Sequence, residues 1–149
     1  MAKVVDVGPD DVLAQLLKVQ HETPLLKAPL SRLVLDVMRS VGEFGSNTLG
    51  WRLATLARSL IATMPVATQT ELGKLVLTER AHQLREHAGE NAGSPISNRE
   101  KLFVLVEEWL EYQEAPPKTL SQLEESVQLV TVCCSWLAAL KWPGPGGAA

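Results

Sequence analysis

Fourteen residues from Val127 to Leu140 are apolar but for Gln128, Thr131 and Ser135. The run is too short to span a bilayer and reads as a helix that the rest of the chain must enclose. A chain of 149 residues, 46% hydrophobic and 21% charged, has the size and balance of one globular domain. It holds 14 Lys and Arg against 17 Asp and Glu. That balance offers no basic stripe for a run of phosphates, which argues against nucleic acid as a partner.

Glycine and proline cut the remainder into helix-sized pieces. Asp10 and Asp11 open a first helix with Val12, Leu13, Leu16 and Leu17 inward, closed by Pro24. Ser31 caps a second, with Leu33, Val34, Val37, Met38 and Val41 on one face and Gly42 and Gly45 as stops. Asn47 or Thr48 starts a third, carrying Leu49, Leu53, Leu56 and Leu60 at helical spacing up to Pro65. Thr68 or Thr70 starts a fourth, with Leu72, Leu75, Val76, Ala81 and Leu84 inward and a break over residues 88–93. Ser97 or Asn98 caps a fifth, whose apolar face holds Leu102, Phe103, Leu105, Val106, Trp109 and Leu110, ended by Pro116 and Pro117. Thr119 or Ser121 begins the sixth.

No segment alternates with period two. The expectation is an all-α, compact helical bundle with a central apolar helix, the sixth first and the fifth as the other candidate. Residues 1–143 form its single domain and 144–149 a flexible tail. Asp6, Asp10, Asp11 and Lys18 interrupt any apolar core of a signal peptide, and the adjacent Cys133 and Cys134 do not make a disulfide framework, so a cytoplasmic protein is expected.

Little in the polar residues points to catalysis. His21, His82 and His87 lack the spacing of a helical zinc pair, and no metal or other cofactor is expected. Cys133 and Cys134 lie in the most apolar helix, where packing accounts for them better than nucleophilic use. Acid pairs such as Glu107–Glu108 and Glu124–Glu125 point apart on a helix and read as solvated faces.

Residues 35–43, Leu-Asp-Val-Met-Arg-Ser-Val-Gly-Glu, resemble the Bcl-2 homology 3 (BH3) pattern of an apolar residue, three others, glycine and an acid. Here Gly42 would allow a close approach. Residues 97–106 are similar to the BH1 region, with Arg99-Glu100 in place of Trp-Gly and Lys101 in place of its arginine. Residues 123–127 and Trp136-Leu137 up to Trp142 are similar to BH2, with Lys141 where glycine is usual. Three segments in order resemble a Bcl-2 family apoptosis regulator, most like a divergent virus-encoded pro-survival member.

The resemblance implies an inhibitor that holds the BH3 helix of pro-death proteins (Bim-, Bak- or Bax-like) in a hydrophobic groove. Leu49, Leu53, Leu56 and Leu60 would line it, faced by Leu77, Ala81 and Leu84, with Val104 and Leu105 as floor and Met38 and Val41 closing one end. Lys101 would pair with the ligand's acid, or Arg99 in its place, and Asn98 would cap the fifth helix and touch the ligand. Glu107, Glu108 and Glu111 would be costly in a bilayer, and no transmembrane anchor is expected. The other reading is a homodimeric scaffold or adaptor without a death ligand, anchored by Trp51, Trp109 or Trp142.

Overall fold

The computed structural model describes residues 8–20, 27–43, 46–91, 97–142 and 144. They form six helices: α1 (Pro9–Gln20), α2 (Leu30–Glu43), α3 (Ser46–Ala62), α4 (Val66–Asn91), α5 (Asn98–Glu114) and α6 (Leu120–Ala139). The chain is an all-α bundle. Among the described residues no helix is long and apolar enough to cross a membrane.

The helix α6 is the axis. Ten of its residues are buried, from Ser126 to Leu137, and α1, α3, α4 and α5 all pack against it. Two of its buried hydroxyls are satisfied within the helix: Thr131 Oγ1 donates to the Val127 carbonyl at 2.7 Å and Ser126 Oγ to the Gln122 carbonyl at 3.0 Å. By contrast α5 has one buried residue, Leu105, and lies at the periphery. In the resemblance the helix following the BH1-like segment is the central one. Here that place belongs to the helix after it, because Glu107, Glu108 and Glu111 deny α5 a continuous apolar surface.

Local chemistry explains the boundaries. Pro9 occupies the first turn of α1, where its missing N–H costs nothing, and the Gly8 N–H donates to Asp11 Oδ2 at 3.0 Å. Ser97 caps α5: the Glu100 N–H donates to Ser97 Oγ at 3.2 Å, and the hydroxyl in turn donates to Glu100 Oε1. Thr119 caps α6 in the same way through the Gln122 N–H. The helix α4 starts at Val66, ahead of Thr68 and Thr70, and runs through residues 88–91 despite Gly89.

The C-terminal end of α6 is a Schellman turn. Trp142 N–H reaches the Leu137 carbonyl and Lys141 N–H the Ala138 carbonyl, with Lys141 left-handed at φ 53. This turn swings Trp142 back onto α3. Its indole meets Trp51 edge-on at 5.9 Å and lies over Gly50, where an added Cβ would come within 2.8 Å of Cδ1. Gly144, expected in a loose tail, is buried against Gln15 of α1. Residues 145–149 lie outside the described residues.

The α3 leucines are core. Leu49, Leu53, Leu56 and Leu60 are at most 2% exposed, whereas Leu77 on α4 is 50% exposed. Leu53→Ala should therefore destabilise the fold by about 2–5 kcal/mol in chemical denaturation, and Leu77→Ala by less than about 1 kcal/mol. Equal effects would contradict this placement.

Candidate functional site

Two helices run side by side over a shared depression. Along α4, Thr68, Glu71, Leu75, Thr78 and Glu79 recur at helical spacing; along α6, Leu120, Leu123, Glu124, Val127 and Gln128 do the same. Between them lies a groove of about 650 Å³. Its apolar part is partly open: Leu75 is 38% and Leu120 71% exposed, while Val127 at the base is buried. The lining includes three carboxylates, Glu71, Glu79 and Glu124, and no lysine, arginine or histidine.

The groove continues into a cluster of acids. Glu108 and Glu111 of α5 and Glu125 of α6 bring carboxylate oxygens within 4.8 Å of one another. With its amide nitrogen turned toward them, Gln128 donates to Glu108 Oε2 at 2.6 Å and to Glu125 Oε2 at 3.1 Å. Burial pushes the Glu108 carboxyl up from 4.5 to about 8, and the charges of Glu111, Glu125 and Glu79 add to it. Glu125 is raised for the same reasons, burial first and Glu111 next. Such a set of oxygens can share protons, hold a hard cation or accept cationic hydrogen-bond donors.

The residues expected to form a ligand trough are dispersed. Leu49, Leu53, Leu56 and Leu60 face the interior, where α3 packs on α6 and α2, so no furrow opens along them. Periodicity shows that a stripe is apolar; it does not show whether a ligand or the chain's own helix covers it. Leu105 is fully buried and Val104 partly so, both as packing within the bundle. Leu77 and Ala81 lie on the outer part of α4, and the side chain of Leu84 is outside the described residues.

On α2, Val41 packs against the core, but Met38 is 42% exposed, and α2 packs on α3 and α5 with no broad contact to α4. A Cβ on Gly42 would meet nothing within 4 Å, so the expected close approach is missing. Asn98 does not cap α5. It is the first helical residue, and its Oδ1 accepts from the buried Trp136 indole at 2.9 Å, pinning α5 to the axis. Lys101 sits half-buried beside Arg80 of α4. Burial and that neighbour lower its pKa, with Glu100 opposing them.

Other candidates resolve as structure. Cys133 and Cys134 are fully buried, and burial pushes the Cys133 thiol up to about 12 and Cys134 well above its ordinary value. Trp142 is internal and unavailable as an interface anchor; Trp109 stacks on Tyr112 at 5.5 Å. His82 is exposed on α4, while the side chains of His21 and His87 lie outside the described residues. Comparison with protein-family models, curated proteins and solved structures finds no match.

The raised Glu108 gives a signed pH dependence. Between pH 4.5 and about 8 the folded chain keeps a proton that the unfolded chain has released. This contribution is present below the unfolded value and is lost as the pH rises through the folded one. Wild-type protein should melt higher at pH 5 than at pH 8.5. Glu108→Gln should remove much of that difference and raise the pH 8.5 melting temperature by about 3 °C, a modest value because the group is partly solvated. An unchanged slope in scanning calorimetry would contradict the account.

Proposed function

We propose that this chain is a non-catalytic interaction protein that holds an amphipathic helix of a partner in the groove between α4 and α6. The observation that carries the proposal is the partly open apolar strip of Leu75 and Leu120, which lines a groove between two helices, whereas the exposed Met38, Leu77, Phe103 and Leu110 lie outside that lining. Over residues 67–79 the groove follows about 18 Å of α4, enough for roughly three turns of a docked helix. Both cysteines are sealed with their thiols held protonated, which favours binding over nucleophilic chemistry.

The narrower form of the proposal is an inhibitor of apoptosis that sequesters BH3 helices. Its support is the order of the three similar segments, which fall on α2, the start of α5 and α6. Lys141 also supports it, since it takes the left-handed conformation that suits the glycine usual at this point of BH2. Because no cation lines the groove itself, the ligand's acid would then have to extend past Glu79 to Arg80 and Lys101, the cations that α4 and α5 bring together.

Calorimetry with a panel of BH3 peptides tests this form. At least one should bind at or below roughly tens of micromolar, and Lys101→Glu should weaken it by about 1–3 kcal/mol. Failure of every peptide removes the link to cell death. Leu75→Asp, at a position 38% exposed, should abolish binding of any helix that uses the groove while the circular dichroism spectrum stays helical.

A further inference from the structure

The groove carries a sign as well as a shape. Its apolar strip is edged by Glu71 and Glu79 on one helix and Glu124 on the other, and no cation lines it. At the inner end Gln128 leads to Glu108, Glu111 and Glu125, which crowd together with Glu79 close by. Gathering like charges around an apolar strip costs stability in the free protein. Cationic side chains set on either side of an apolar face would relieve that cost and cover Leu75 and Leu120 at once.

We infer that the α4–α6 groove selects a basic amphipathic helix of a partner protein, whose apolar face covers Leu75, Leu120 and Leu123 while flanking Lys or Arg side chains pair with Glu71, Glu79 and Glu124. This rests on the helix-capturing reading above and adds the charge of the ligand to it. Complementary charge across such a rim governs which partner is accepted and how fast it docks more than it governs raw affinity. The stems of lysine and arginine also fit the site, because they lie along apolar surface while their heads reach the carboxylates.

The test uses two synthetic helical peptides of identical length and leucine pattern, one with lysine and one with glutamate at every polar position. They are titrated into the full chain by calorimetry at low and high salt. The lysine peptide should bind at least about tenfold tighter at low salt, and the preference should shrink at high salt. Combined Glu71→Gln, Glu79→Gln and Glu124→Gln should erase the preference while the circular dichroism spectrum stays helical. Thr78→Lys, which puts a cation on the exposed rim, should weaken the lysine peptide without any carboxylate being removed.

Equal binding of both peptides would overturn the charge selection and leave helix capture standing. Binding of neither would overturn both. A lysine preference that survives the triple variant and Thr78→Lys would overturn the assignment to this groove.

Discussion

The rest of the structure depends on the burial of α6. A helix apolar on nearly every side between Ser126 and Leu137 can exist in water only when other helices surround it. That demand brings α1, α3, α4 and α5 onto one axis, and α2 then packs on α3 and α5. The C-terminal turn extends the same arrangement, because the left-handed Lys141 returns Trp142 to Gly50 and Trp51. Polar contacts set the register between neighbours. Arg52 of α3 donates to the Asp36 carbonyl and to Ser40 Oγ of α2, and Asn98 of α5 receives the Trp136 indole N–H.

Seen this way, the α4–α6 groove follows from the change of character along α6. The helix is buried from Ser126 to Leu137 except at Gln128 and Ser135, which are partly so, while its first two turns carry Leu120, Leu123 and Glu124, which are not buried. The helix α4 packs on it, and the pair leaves an open strip where α6 turns polar. The nearby end of α5 supplies Glu108 and Glu111, and the acids accumulate where three helices converge.

Much of the fold was legible in the sequence because its punctuation is strong. Pro65 and the Pro116–Pro117 pair separate the helices, and Ser97 and Thr119 cap where small polar residues precede apolar periods. The centrality of α6 followed from its composition. What one-dimensional pattern could not convey was the neighbour of each stripe. Leu49, Leu53, Leu56 and Leu60 looked like a groove wall and are core; Leu75, read as inward, is a groove wall. Glu108 and Glu125 are distant in sequence and each reads as part of a solvated face, so their convergence with each other and with Glu79 was invisible until three helices were assembled. The signal that did exist was the i, i+3, i+4 recurrence of Leu120, Leu123, Glu124, Val127 and Gln128, a mixed stripe of oil and acid on an otherwise apolar helix.

The central claim is that partners dock between α4 and α6 and not along α3. Amide chemical shifts of isotopically labelled protein, followed while a lysine–leucine amphipathic peptide is added, address it directly. The account predicts contiguous changes over residues 68–79 and 120–128, with residues 49–60 unmoved. Changes centred on residues 49–60, or none along α4 and α6, would contradict it.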